Sequence, residues 1–185
     1  MNIKLNRYVR RSFTHEYNVL CDESGMSEKM TSSILTGIAG EYFVAGELSR
    51  RGYIASITLR NTKGVDILCS SSDTIKTAAI QVKTNRGSTR KWMLTKKAED
   101  NFADNLFYVF VTLNNNQKSP NYFIVPSDIV AEYVKTSHST WLNTPGKNGK
   151  KHNDSSVRNF HDYEEEYLDR WDILKNHLEE IPNRQ

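Results

Sequence analysis

Gly64-Val65-Asp66-Ile67-Leu68-Cys69, followed after a polar turn by Ala79-Ile80-Gln81-Val82-Lys83-Thr84, is the stretch that decides how this chain is read. Both segments are apolar and β-branched and both are bounded by turn formers, so strands are expected over Gly64–Cys69 and Thr77–Thr84. Asp66 stands among Val65, Ile67 and Leu68, and aspartate is depleted in strands unless something requires it. Side chains alternate along a strand, so Gln81 and Lys83 share one face while Ile80 and Val82 turn to the other. Taken singly, an aspartate satisfied by nearby backbone and an exposed polar strand face are ordinary features. On adjacent strands they place a carboxylate, an amide and an amine side by side.

Upstream, residues 31–51 read as a helix with Thr31, Ser32 or Ser33 as N-cap and Gly52 at the C-cap position. Ile34, Ile38, Ala45 and Leu48 form its apolar stripe, and Glu41 falls within that stripe, whereas Glu47 points elsewhere. A carboxylate there is costly to bury unless a cation or a hydrogen-bond network compensates, although one at the stripe's edge can also reach solvent. Tyr53–Leu59 reads as a strand. Downstream, Thr95–Asn105 reads as helical and Leu106–Leu113 as a buried central strand. Tyr122–Val125 is a short strand, and Pro126-Ser127-Asp128 opens a helix to about Leu142. Residues Thr144–Ser156 are loop-like, and Tyr167, Leu168, Trp171, Ile173 and Leu174 give the tail enough apolar surface to dock on the core. The order α-β-β-β-α-β-β-α indicates an α/β domain, with a mixed central sheet of about four or five strands flanked by helices. Trp92, Phe102, Trp141 and Trp171 are expected in the core rather than stacked on bases.

The composition excludes several classes. At 185 residues with 37% hydrophobic and 25% charged residues, the chain fits one globular domain. Residues 1–26 form a basic arm or extension, and the domain occupies 27–185. Neither a membrane span nor a secretory signal is legible. Cys21 and Cys69 make no metal-binding pair or disulfide framework, so a cytoplasmic setting is expected. The net charge of +3 matters less than its placement. Lys83, Arg86, Arg90, Lys91, Lys96 and Lys97 occur without an intervening acid, whereas Asp162, Glu164, Glu165, Glu166, Asp169 and Asp172 crowd the end. Such asymmetry suits one face turned to a polyanion. The His152-Asn153-Asp154 run lacks the partners of a histidine-metal site and reads as plain loop.

Helix-borne Glu41, then Gly-Val-Asp-Ile in one strand, then Ile-Gln-Val-Lys in the next, is an order with a chemical purpose. Two carboxylates, an amide oxygen and a strand carbonyl, that of Val82, make a hard oxygen site suited to Mg²⁺ or Mn²⁺, with Lys83 beside it for the attacking water or the phosphate. Residues 37–84 resemble the PD-(D/E)xK nuclease superfamily, which includes type II restriction enzymes and archaeal Holliday-junction resolvases. The resemblance rests on Glu41, Asp66 and Gln81-Val82-Lys83. Val65 stands where the usual proline would be, and Gln81 where a carboxylate is usual. The resemblance implies a restriction-endonuclease-like fold and a metal-dependent DNA endonuclease using Mg²⁺ or Mn²⁺. It implies Glu41, Asp66, Gln81 and Lys83 as catalytic residues, with metal on Glu41, Asp66, Gln81 and the Val82 carbonyl. Arg86, Arg90, Lys91, Lys96, Lys97, Lys150 and Lys151 would hold nucleic acid, and a homodimer stays open. An RNA nuclease, or a non-catalytic nucleic-acid-binding or immunity-type module on the same fold, is the alternative.

Overall fold

Residues 32–59, 64–72 and 76–179 are described by the computed structural model, and the expected arm over 1–26 lies outside them. Helix α1 (Ser33–Arg50) starts where its cap allows, the Ser32 Oγ accepting from the Leu35 N–H at 3.2 Å. It ends at Gly52, whose φ of 90° favours glycine. The Gly52 N–H donates to the Ser49 carbonyl and the Tyr53 N–H to the Leu48 carbonyl at 3.1 Å, the paired bonds of a Schellman closure.

The face that α1 buries differs from the expected stripe. Thr36, Gly40, Val44 and Leu48 are buried at successive four-residue steps, while Ile34 is 59% exposed and Ile38 and Ala45 are half-buried. The cause is a close approach: a methyl group at Gly40 would lie 1.8 Å from the Thr84 Oγ1, so the helix meets the sheet through its smallest residue. Glu47, on the flank, pairs with Arg50 at 2.9 Å and Arg51 at 3.4 Å.

The central sheet contains β1 (Ile54–Ile57), β2 (Ile67–Ser70), β3 (Thr77–Asn85), β5 (Leu106–Thr112) and β6 (Asn121–Pro126), in the order β1-β2-β3-β5-β6. The β3–β5 pair is parallel and the other pairs antiparallel, so the sheet is mixed. A separate antiparallel ribbon joins β4 (Lys91–Thr95) to β7 (Val157–His161). With α2 (Ser127–Asn143) and α3 (Trp171–Glu179), the described residues form an α/β fold with a five-stranded mixed sheet and three helices. Every residue of β5 is buried, as its apolar run requires for a strand covered on both faces.

Two cores result. On one side of the sheet, Val44 and Leu48 of α1 and Trp171, Leu174 and Leu178 of α3 pack on Ile67, Ile80, Val82 and Val109. On the other, Val130 and Val134 of α2 and Trp92, Leu94 and Phe160 of the ribbon pack on Tyr108, Phe110 and Phe123. Trp92 and Trp171 are core residues as expected, but Phe102 and Trp141 are exposed. No helix among the described residues is long and apolar enough to cross a membrane.

The helix expected over Thr95–Asn105 is replaced by the end of β4 and a single 3-10 turn, Lys96–Glu99. In β4, Trp92 and Leu94 are buried while Lys91, Met93 and Thr95 are exposed, a period of two that only the distant β7 partner makes worthwhile. Beyond the turn, the Ser127 Oγ donates to the Ala103 carbonyl and accepts from the Ala103 N–H, both at 3.0 Å. That tie anchors the segment to the start of α2 without helical structure.

Candidate functional site

β3 outruns β2. Their register ends with Ile67 opposite Ile80, yet β3 continues on β5 as far as the Asn85–Thr112 pair. Among the described residues, no strand covers 81–85 on the β2 side, and Asp66 sits where that edge opens. Its N–H donates to the Ile80 carbonyl at 2.8 Å, and its carbonyl accepts from the Thr58 N–H at 2.9 Å. Its Oδ2 accepts from the Val82 N–H at 2.7 Å, taking the place of a further ladder bond. Both the backbone and the carboxylate of Asp66 are thereby fixed. Ladder bonds of one strand residue address a single neighbour, so the Val82 carbonyl faces the same gap as its N–H.

Gln81 pairs with Tyr108 and Lys83 with Phe110, so both side chains lie on the face that carries α2 and the ribbon. Asp66 belongs to that face too. Burial raises the Tyr108 phenol above its ordinary pKa, and the Asp66 carboxylate adds to the upward push, while a hydrogen bond from Asn101 opposes it. The Asn101 Nδ2 donates to the Tyr108 oxygen at 3.3 Å. Asn101 and Tyr108 were missed by sequence reasoning, one lying in an expected helix and the other in an apolar run. A tyrosine inside a buried strand needs a partner for its hydroxyl, and that was the available signal.

Glu41 comes from across the sheet. It is half-buried and follows Gly40, the residue seated on Thr84 next to Lys83. The fold thus brings Asp66, Gln81 and Lys83 to one face, with the Val82 carbonyl on the same edge, and brings Glu41 to the same end of β3 from α1. Among the described residues the Asp66 Oδ1 accepts no hydrogen bond. With the Gln81 amide oxygen and the Val82 carbonyl it forms a set of hard oxygen donors, the chemistry that Mg²⁺ or Mn²⁺ selects. Cysteine chemistry is disfavoured at Cys69, because burial pushes its thiol up to about 11 and keeps it protonated.

The basic residues divide into engaged and available groups. Arg90 is held in an ion pair by Glu165 and donates to the Tyr163 carbonyl at 3.1 Å. Lys96 lies 3.9 Å from Asp154. The Arg86 carbonyl accepts from the Asn115 N–H at 2.9 Å. Lys91 and Lys97 are exposed, and among the described residues no carboxylate pairs with either; Lys150 and Lys151 are exposed on the loop before β7. The acidic end of the chain is therefore not a separate face: Glu165 neutralises Arg90, and the buried Asp162 accepts from the Glu166 and Tyr167 N–H groups at 2.9 Å. His152, set aside as a ligand, stacks on Trp141 with ring centroids 4.0 Å apart.

If the available lysines contact duplex phosphates, Lys91→Gln with Lys97→Gln should flatten the slope of log affinity against log salt by about 0.9 for each phosphate that is no longer neutralised. Lys96→Gln should change it less, since its ammonium already has a counter-charge. Fluorescence anisotropy at several salt concentrations reads this directly. An unchanged slope in the double variant would make these lysines solvated surface.

No family model matches the chain, and no curated protein matches it. Among solved structures it is similar to a bacterial homing endonuclease, I-Ssp6803I, with 14% identity and a TM-score of 0.49. The match covers 82% of this chain and 97% of that one.

Proposed function

We propose that this protein is a metal-dependent endonuclease that hydrolyses DNA phosphodiester bonds, a PD-(D/E)xK enzyme with glutamine in place of the second strand carboxylate. One observation carries the reading: the Asp66 carboxylate is clamped to the Val82 N–H where β3 runs on past β2, on the face shared by Gln81 and Lys83. In this reading Asp66, Gln81, the Val82 carbonyl and Glu41 hold Mg²⁺ or Mn²⁺. When bound, the metal would activate a water and offset charge on the phosphate. Lys83 would donate to a phosphate oxygen or orient the water, where a fixed ammonium stabilises developing negative charge. Lys91 and Lys97, with Lys150 and Lys151, would position the backbone of the nucleic acid. Incubating the protein with duplex, branched and single-stranded DNA and with RNA, in Mn²⁺ and in EDTA, tests the reading. Metal-dependent scission of DNA is expected; scission of RNA alone would reassign the substrate, and no scission of any would remove the activity.

The neutral amide at Gln81 favours one other reading, a nucleic-acid-binding module that has lost catalysis. A carboxamide supplies an oxygen but no charge, so metal affinity should be lower than with a carboxylate in its place. In an enzyme, Gln81→Glu should tighten Mn²⁺ binding in calorimetry, on the order of tenfold, which corresponds to about 1.4 kcal/mol. In a module without metal, the same change sets two carboxylates side by side with no cation, and repulsion should lower stability instead. Failure of both proteins to bind Mn²⁺ at millimolar concentration would favour the module.

A further inference from the structure

Beyond the Lys83 end of β3, the chain adopts a conformation that side-chain packing does not explain. Asn114, Asn115 and Asn116 have φ of 50°, 52° and 61°, three consecutive residues in the left-handed region. Asparagine enters that region singly more readily than most residues, but runs of it are avoided because Cβ crowds the following carbonyl. The turn is held by backbone. The Leu113 N–H donates to the Asn85 carbonyl at 2.8 Å, that of Asn114 to Gly87 at 3.1 Å, and that of Asn115 to Arg86 at 2.9 Å. The turn after β5 is thus fastened to the turn after β3.

Only one of the three amide side chains is used within the turn between β5 and β6. The Asn114 Nδ2 donates to the Ser119 carbonyl and to the Asn121 Oδ1, both at 2.7 Å. Asn115, Asn116 and the following Gln117 are exposed, and their side chains make no hydrogen bond among the described residues. Glycine would hold the same angles without steric cost. The amides at 115, 116 and 117 are therefore surplus to the turn's own needs.

Their position relative to the candidate site supplies a use. Directly paired residues share a face of a sheet, so Lys83 and Asn85 share theirs with Phe110 and Thr112, and through them with Phe123 and Asn121. A polar cleft of about 370 Å³, lined by Thr112, Asn121 and Phe123 together with Asn115, Gln117 and Lys118, opens on that face. Asn85 lies two residues past Lys83, about 7 Å along an extended strand, and base pairs stack about 3.4 Å apart. A duplex laid along β3 would set the turn two or more base-pair steps from a phosphate held at Lys83.

We infer that the Asn115-Asn116-Gln117 turn reads base edges of duplex DNA beside the cleavage position. A carboxamide offers one donor and one acceptor side by side, the pattern that matches the N6 and N7 edge of adenine in the major groove. Lys118, next in the chain and exposed, supplies the adjoining charge for the backbone. The backbone bonds fix the direction of each Cα–Cβ bond before DNA arrives, so the turn itself need not be ordered on contact. This inference rests on the nuclease reading for the location of the phosphate.

The test is a binding selection from a randomised duplex library in EDTA, which needs no cleavage. It compares the wild type with a triple variant, Asn115→Gly, Asn116→Gly and Gln117→Ala. Glycine keeps the left-handed angles and Asn114 keeps the fastening, so unfolding midpoints should match the wild type or exceed it. The wild type should enrich particular bases, adenine among them, at adjacent positions. In the variant that enrichment should fall at least tenfold while affinity for unselected duplex changes less than threefold. Equal enrichment in both proteins would overturn the inference, as would no enrichment by the wild type. The nuclease reading is judged separately, by Mn²⁺-dependent scission of the same library: a wild type that selects sequences but never cuts would end that reading alone.

Discussion

Asp66→Asn should lower metal-dependent cleavage by about three orders of magnitude while leaving the fold in place. The asparagine keeps an oxygen to accept from the Val82 N–H, now at 2.7 Å from the carboxylate, so the ladder bond survives and stability should change by less than about 1 kcal/mol. What disappears is the charge that draws a divalent cation to the edge of β3. Three decades correspond to about 4 kcal/mol of transition-state stabilisation, within the range expected when a metal is lost from a phosphoryl-transfer site. Asp66→Ala should lose as much activity and in addition about 1 kcal/mol of stability, because the Val82 N–H is left without its acceptor. Activity of Asp66→Asn within tenfold of the wild type, measured from initial rates in Mn²⁺, would place the chemistry elsewhere.

Gly40→Ala should be costly even though alanine is the better helix former. A Cβ at this position would lie 1.8 Å from the Thr84 Oγ1, 2.9 Å from its Cβ and 3.0 Å from its Cγ2. Rotating the threonine relieves the first contact but not the second, so α1 must lift from β3. Overpacking of this kind costs about 1–3 kcal/mol, and the gain in helix propensity, about 1 kcal/mol, recovers only part of it. The expected net loss is up to about 2 kcal/mol, a fall in Tm of at most roughly 4–8 °C. Thr84→Ala should recover part of the loss in a double-mutant cycle, since the Thr84 Oγ1 is buried without a hydrogen-bond partner among the described residues. Because Glu41 follows Gly40, lifting the helix should also lower cleavage at temperatures where the variant is still folded. A variant as stable and as active as the wild type would mean that helix and sheet are seated less closely than a 1.8 Å approach requires.

Much of this architecture was legible because local signals and tertiary demands agree. Ser32 and Gly52 mark the ends of α1 by chemistry that needs no partner outside the helix. The run over residues 106–111 is apolar or aromatic on both faces, as suits a strand between two layers. Asp66, Gln81 and Lys83 were legible as a group because strand alternation and a single turn suffice to relate them. The ribbon of β4 and β7 was not, since neither strand has a nearby partner and each becomes stable only by pairing across the length of the domain. The stripe of α1 was misread for a related reason. Apolar spacing ranks large residues first, whereas the contact with β3 is made through Gly40, a choice that only Thr84 explains. Sequence spacing could not show that one base of the basic run already has a counter-charge, since Arg90 and Glu165 are far apart in sequence yet paired in space.

The proposed activity turns on a divalent cation binding where β3 runs on past β2. Titrating Mn²⁺ into isotopically labelled protein and following the loss of backbone amide signals locates the cation without reference to activity, because paramagnetic broadening falls off steeply with distance. The amides of Asp66, Gln81, Val82 and Lys83 should broaden first, and in Asp66→Asn they should persist at the same Mn²⁺ concentration. Broadening centred instead on the acidic segment around Asp162–Glu166, or no localised broadening at millimolar Mn²⁺, would contradict the account.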